Sequence, residues 1–197
     1  MDVNANLVKE LREISGSGFM DCKAALVATN CDLQAAADFL RKKGVSSAAK
    51  KSHRNTGEGL VESYIHTGGK VGVLIEVNCE TDFVARTDTF KSLVHDLAMQ
   101  IAAACPISVS SDEVPAELVA KEREILSEQA KASGKPEKII EKMVEGRIQK
   151  YFEEVCLLEQ KFVKEQDRAV REIINDAIAK LGENIRVRRF ARFQLGK

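Results

Sequence analysis

A chain of 197 residues with 30 basic and 30 acidic side chains carries no formal net charge, so no overall field draws it to nucleic acid or to an anionic membrane. Hydrophobic residues make up 44% and charged residues 30%, an ordinary globular mix, while aromatics are only 5% and tryptophan is absent, a poor composition for stacking bases or sugar rings. No apolar run approaches the roughly 18 residues that a membrane-spanning helix needs.

At about 150 residues per domain, the length suits one domain and a small module. Met1-Asp2-Val3-Asn4-Ala5-Asn6 lacks the basic-then-apolar order of a signal peptide, and no transit peptide is expected. Cys22, Cys31, Cys79, Cys105 and Cys156 are odd in number and irregular in spacing, with no Cys-x-x-Cys. That is a poor disulfide framework and a poor zinc site. Free thiols in a reducing cytoplasm are the expectation.

The chain opens with helical spacing. Leu7, Val8, Leu11 and Ile14 recur on one face, with Asn4 or Asn6 as N-cap. Ser15-Gly16-Ser17-Gly18 stops that helix. A second helix is predicted from Asp21, with Cys22, Ala25 and Leu26 inward, ending at Asn30. Asp32 caps a third, carrying Leu33, Ala36, Ala37 and Leu40 and stopping at Gly44. Three helices in so few residues make a small core, which suits a binding module. The polar, basic stretch 45–57 reads as a partly helical linker. The expected division is a three-helix domain with its linker over residues 1–55 and an α+β domain over 56–197.

Beyond the linker, Leu60–His66 and Val71–Asn78 are strand-like, and Thr67-Gly68-Gly69-Lys70 is a hairpin turn signal. Cys79–Arg86 comes next, and within it Thr81–Val84 reads as a short connecting loop. A long helix follows with Phe90, Leu93, Val94, Leu97, Ile101 and Ala104, capped by Thr87 or Asp88 and ended by Pro106. Pro115 opens a helix with Leu118, Ile125 and Leu126 that Gly134 closes. Pro136 opens the next, through Val155, where Gly146 predicts a kink or a close contact. Leu157–Val163 looks extended. Asp167 is placed as the cap of a helix ending at Gly182, and Ile185–Leu195 is a third strand. Hairpin first and strand last predict an α+β fold, a small antiparallel sheet covered by helices.

Little of this resembles catalytic machinery. The three histidines, His53, His66 and His95, lie in no nucleophile–base motif. There is no phosphate-binding glycine loop and no calcium-loop spacing, so no nucleotide, cofactor or metal is expected, and the chain does not read as an enzyme. Arg186, Arg188, Arg189 and Arg192 interleave with Phe190 and Phe193, a pattern that could touch RNA. We favour an edge strand guarded by charge, with Ile185 and Val187 inward.

Two segments are out of place for a purely structural role. Gly18-Phe19-Met20 sets two large apolar side chains on a predicted turn, as a core plug or as anchors for a partner. Thr81-Asp82-Phe83-Val84 either inserts into another protein, or makes Asp82 a cap and Phe83 a lid on the core.

These segments lie in longer matches. Leu11–Leu26 resembles the first signature of bacterial-type elongation factor Ts. Glu76-Val77-Asn78-Cys79-Glu80-Thr81-Asp82-Phe83-Val84-Ala85-Arg86 resembles the second at every position, and Glu159-Gln160-Lys161-Phe162-Val163-Lys164 is a third match. The resemblance runs from about residue 4 to the end. It implies an amino-terminal bundle like a ubiquitin-associated domain, an α+β dimerisation-type core in its compact single-subdomain form, a homodimer, and exchange of guanine nucleotide on GDP-bound elongation factor Tu during translation. By resemblance, Arg12, Phe19 and Met20 dock on the partner's nucleotide-binding domain. The segment Thr81, Asp82, Phe83 and Val84 meets the partner too, with Asp82 and Phe83 intruding beside its magnesium and phosphate sites. Ser15 stands where threonine is usual, Phe19 where methionine is common, and Lys161 where proline is frequent.

Overall fold

The computed structural model describes residues 3–132 and 136–197; Met1 and the proposed helix stop at Gly134 lie outside the described residues. The chain divides into two compact units. One joins Met1–Leu60, Val77–Val94 and Glu172–Arg186; the other joins Val61–Glu76, His95–Arg171 and Val187–Lys197.

The first unit begins with three helices, α1 (Ala5–Ser15), α2 (Phe19–Ala28) and α3 (Leu33–Lys51). Asn4 caps α1 through a bond from the Asn6 amide, and Gly16 ends it in the left-handed conformation at φ 64°. Asp32 caps α3, its carboxylate accepting from the Ala35 amide at 2.9 Å. Val8, Leu11, Cys22, Ala25, Leu26, Ala36 and Leu40 form the bundle's core.

Three expectations are corrected here. Ile14 does not join the apolar stripe of α1 and is 63% exposed. Helix α2 starts at Phe19 rather than Asp21, so Phe19 and Met20 sit in its first turn. Helix α3 runs through Gly44 to Lys51. Gly44 is buried against α8 (Val170–Leu181), where a methyl in its place would meet the Ala179 methyl at 3.5 Å. The glycine is a packing position in mid-helix, and the stretch 45–57 is partly helical as expected, with α3 running to Lys51.

The second unit holds most of a three-stranded antiparallel sheet, in order β1 (Glu58–Ile65), β2 (Val71–Cys79), β5 (Arg186–Gln194). The hairpin closes as predicted: the His66 amide donates to the Val71 carbonyl at 2.9 Å, with Gly68 and Gly69 at φ 90° and 67°. At the other end of β5 the Leu195 amide donates to the Lys70 carbonyl at 2.9 Å, so the chain's last strand runs antiparallel to β2. Val73, Ile75 and Val77 alternate inward on β2, and Ile185 and Val187 are buried as expected.

After the sheet's hairpin and a short turn comes α5 (Asp88–Ala104), whose Leu97 and Ile101 are fully buried. Each such side chain contributes about 1.5–3 kcal/mol by leaving water. Next come a short 3-10 turn at Ser111–Glu113 and the paired helices α6 (Ala116–Lys131) and α7 (Glu137–Val155). Leu126, Ala130, Val144 and Ile148 are the core of that pair, whereas Leu118 and Ile125, expected on the same face, remain exposed. Helix α7 passes through Gly146, which has no close neighbour.

The stretch 157–169 differs from expectation. Its extended part is a two-stranded hairpin, β3 (Lys161–Phe162) with β4 (Glu165–Ala169), and Asp167 lies in β4 rather than capping α8. Buried Gln100 and Gln160 hold this corner. Gln100 Nε2 donates to Gln160 Oε1 and to the Lys161 carbonyl, both at 3.1 Å, and Gln100 Oε1 accepts from the Val163 amide at 2.8 Å. Gln160 Nε2 donates to the carbonyls of Glu154 at 2.7 Å and Ala104 at 3.3 Å. The exposed Lys161 keeps its carbonyl in this network.

Candidate functional site

The segment that leaves β2 is built from short-range chemistry. Thr81 has extended backbone, and its Oγ1 accepts from the Val84 amide at 3.4 Å. This N-cap starts a single helical turn, α4 (Asp82–Ala85). A connecting loop was expected at these residues; a threonine cap followed by Asp and Ala in helical spacing makes a turn of helix instead. Asp82 is not the cap. Its Oδ2 pairs with Arg86 at 2.8 Å, one turn on, and both side chains are largely exposed, so the pair adds little stability.

Ala85 is buried and fixes the inner side of α4. Thr87 then restarts the chain: its Oγ1 accepts from the Phe90 amide at 3.2 Å and opens α5. The two phenylalanines flanking this junction part company. Phe90 is fully buried, while Phe83 is 78% exposed. Phe83 is therefore no lid on the core. Of the two readings of Thr81–Val84, the projecting one fits the geometry.

What sequence reasoning missed is the grip on this turn from Glu183 and Asn184. One oxygen of Glu183, Oε2, accepts from the Glu80 amide at 3.1 Å and the Thr81 amide at 3.0 Å, and the other, Oε1, accepts from the Thr81 hydroxyl at 2.6 Å. Bonds to an ionised acceptor are the stronger kind. Buried Asn184 donates its amide to Glu80 Oε1 at 2.7 Å and its side-chain nitrogen to the carbonyls of Ser52 and Arg54 at 3.3 and 3.0 Å. The bond from Asn184 and the nearby Arg54 guanidinium hold the Glu80 carboxyl below its ordinary range. Beneath the turn, Cys79 is buried and donates to the Thr81 carbonyl at 3.1 Å; burial pushes its thiol up to about 11. The Gly182 φ of 80° marks the end of α8, and a glycine before Glu183 was the available sequence signal.

The other expected contact residues belong to the same compact unit. Arg12 is exposed in the last turn of α1. Phe19 is 50% and Met20 72% exposed at the start of α2, so neither plugs the bundle. Ile14, on the other side of the Ser15–Gly18 turn in sequence, is exposed too, and Asp21 in the first turn of α2 pairs with Lys43 at 2.6 Å.

Elsewhere the chemistry is bland. His95 Nδ1 lies 2.8 Å from Glu62 Oε1 beside the Tyr64 ring, on the surface. Two arginines of β5 are committed to the protein: Arg189 pairs with Glu76 at 2.7 Å, and Arg192 donates to the Ala102 carbonyl. All five cysteines are free. Among the described residues no group of His, Cys, Asp or Glu is arranged to hold a metal ion, and no helix is long and apolar enough to cross a membrane.

Comparison with known proteins gives one consistent answer. The family model described as "Elongation factor TS" matches residues 45–197. The elongation factor Ts of Heliobacterium modesticaldum is 60% identical over 195 residues, covering 99% of this chain and 91% of that protein. That of Anaeromyxobacter sp. is 60% identical over 196 residues, 100% of this chain and 90% of the relative. That of Desulfosudis oleivorans is 53% identical over 195 residues, 99% of this chain and 98% of the relative.

Proposed function

We propose, since the chain belongs to the elongation factor Ts family, that it is a guanine-nucleotide exchange factor for elongation factor Tu in protein synthesis. In this reading it binds the GDP-bound partner and speeds GDP release by inserting Asp82 and Phe83 beside the partner's magnesium and phosphate site. The observation that carries this reading is Phe83, 78% exposed on a helical turn whose approach is tied down by three bonds to Glu183.

The mechanism is differential binding. GDP on such a partner is held through its phosphates by backbone amides and a cation. A rigidly presented aromatic wedge displaces the elements that shape that pocket, and Asp82 brings a negative charge to the surroundings of the metal. If the factor weakens GDP binding by some ratio, GDP weakens binding of the factor by the same ratio. Each tenfold of this coupling is about 1.4 kcal/mol. No bond of the substrate breaks, so the protein is an exchange factor rather than an enzyme in the usual sense, and it needs no cofactor of its own.

Residues 1–55 act in this account as the docking module, like a ubiquitin-associated domain, within the compact unit that also carries the Phe83 turn. The module's contact residues are Arg12, Phe19 and Met20, with the exposed Ile14 close to them in sequence supporting an apolar contact there. Residues 56–197 form the α+β core that pairs with a second copy. The outer face of the sheet supports a homodimer: Ile65, Leu74, Phe193 and Leu195 are 48–78% exposed and line a shallow groove with Ser63 and Gly72, and Val61 is exposed as well. The cytoplasm is the compartment in which such a factor works.

The test is release of a fluorescent GDP analogue from elongation factor Tu, chased with unlabelled GDP. A substoichiometric amount of this protein accelerates release. Release at the intrinsic rate, with both proteins folded and matched in source, would overturn the reading.

A further inference from the structure

We propose that Glu183 is the positioning residue of the exchange site, presenting Phe83 without touching the partner's nucleotide. The inference rests on the exchange reading and names the group that makes the wedge rigid. A phenylalanine exposed to 78% loses free energy to water, and on a loose loop it would fold back or sample many poses. Ordering it on binding would then reduce the work available to deform the partner. Within α4 itself the restraints are one turn of backbone bonds, the Ala85 amide to the Thr81 carbonyl at 3.3 Å and the Arg86 amide to the Asp82 carbonyl at 3.1 Å, with the buried Ala85, the long Thr81 cap bond at 3.4 Å and the exposed Asp82–Arg86 pair; a single turn of helix is marginal by itself.

The Glu183 carboxylate adds a constraint from outside the turn. Its two oxygens engage three donors on two consecutive residues: the Glu80 amide, the Thr81 amide and the Thr81 hydroxyl. The two amides fix the path of the backbone into the turn. The hydroxyl bond fixes the Thr81 rotamer, which in turn aims Oγ1 at the Val84 amide and so starts the helix that carries Phe83. Phe83 therefore inherits its direction from a carboxylate about a hundred residues away in sequence (separations of 103 and 102). Asn184, the next residue, keeps the strap in register by donating to Glu80 Oε1 and to the carbonyls of Ser52 and Arg54.

The experiment compares the full-length protein with Glu183→Ala, Glu183→Gln and Phe83→Ala in the fluorescent-GDP release assay over a range of concentrations, alongside amide hydrogen exchange on the free proteins. Glu183→Ala is expected to lower the maximal release rate by about tenfold, the worth of one charge-assisted hydrogen bond. The half-saturating concentration stays within about twofold, because binding through α1 and α2 is untouched. Amides of Glu80, Thr81 and Val84 exchange faster, while those of Gly16 and Cys22 in the bundle do not. Glu183→Gln keeps the reach and an acceptor for the two amides and recovers most of the rate.

A maximal rate for Glu183→Ala equal to the parent's, with Phe83→Ala slow, would overturn the positioning role and leave the exchange reading intact. So would equal losses in Glu183→Ala and Glu183→Gln, or a rate loss accompanied by a matching rise in half-saturating concentration and faster exchange in the bundle. No acceleration by the parent protein is the separate failure of the exchange reading itself.

Discussion

The main-chain amide of Asn184 donates to Oε1 of Glu80 at 2.7 Å. Its neighbour Glu183 grips Glu80 and Thr81 from the other side of the same turn, so two consecutive residues after α8 hold two consecutive residues before α4. The Glu80 carboxyl is held below its usual range, first by the Asn184 bond and then by Arg54. A depressed carboxyl contributes stability that is fully present above its ordinary value and is lost as pH falls through the lowered one. In an acid titration followed by NMR, the Asn184 amide shift is expected to move at a pH below 4.5, the ordinary carboxyl value. Glu80→Gln abolishes that step. A midpoint at or above the ordinary value would contradict the arrangement.

Thiol chemistry reports on the same turn. Cys105 is exposed and Cys31 half-buried, whereas Cys22, Cys79 and Cys156 are buried. At pH 8, iodoacetamide is expected to label Cys105 and Cys31 first and to spare the other three until the protein unfolds. Cys79 is pushed up to about 11 by burial from an ordinary 9.0. Its contribution to stability is therefore complete below the ordinary value and is lost as pH rises toward the higher one. Cys79→Ser should flatten that alkaline limb. Early labelling of Cys79 in the native protein would count against the buried assignment.

Two glycines make opposite predictions. Gly59 has φ 149°, and a methyl there would lie 2.2 Å from the Val77 carbonyl oxygen and 2.7 Å from Asn78 Cα. Gly59→Ala should destabilise the protein by on the order of 3 kcal/mol, read as a lower denaturant midpoint. Gly146 sits inside α7 with open space around it. Gly146→Ala should stabilise by up to about 1 kcal/mol through helix propensity, and a loss of stability there would point to a contact that α7 makes with another molecule.

The proposed docking and exchange roles are expected to separate on mutation. Met20 is 72% exposed in the first turn of α2 and lies outside the folded bundle's core. Met20→Ala should raise the concentration giving half-maximal stimulation of GDP release by about tenfold. The rate at saturation and the unfolding midpoint stay near the parent's. A lower saturating rate with unchanged half-saturation would move Met20 from docking to exchange.

The parts of the fold that follow from local pattern were legible. The Leu11, Ala25, Leu26 and Leu40 spacing gives the bundle core, the double glycine gives the hairpin, and Ile185 with Val187 gives the inward side of β5. Where the reading failed, a distant neighbour decided. Gly44 reads as a helix stop until Ala179 is seen packed on it. Asp167 reads as a cap until β4 pairs with β3. The resemblance pointed to Asp82 and Phe83, and the helical stripe with Leu93, Val94 and Leu97 marked Phe90 as inward, but nothing local to Phe83 separated a core lid from the exposed side chain it is. Glu183 and Asn184 carry no sequence signal toward Glu80 beyond the glycine before them, because the contact closes over a separation of 103 and 104 residues.

The central claim is that Phe83 acts as a wedge, and stopped-flow release of a fluorescent GDP analogue from elongation factor Tu tests it most directly. Phe83→Ala removes an exposed side chain, so the unfolding midpoint should stay within about 0.5 kcal/mol of the parent's stability. The same variant should lower the saturating rate of GDP release by at least about tenfold, as expected for a central aromatic anchor. A folded Phe83→Ala protein that releases GDP at the parental saturating rate would contradict the account.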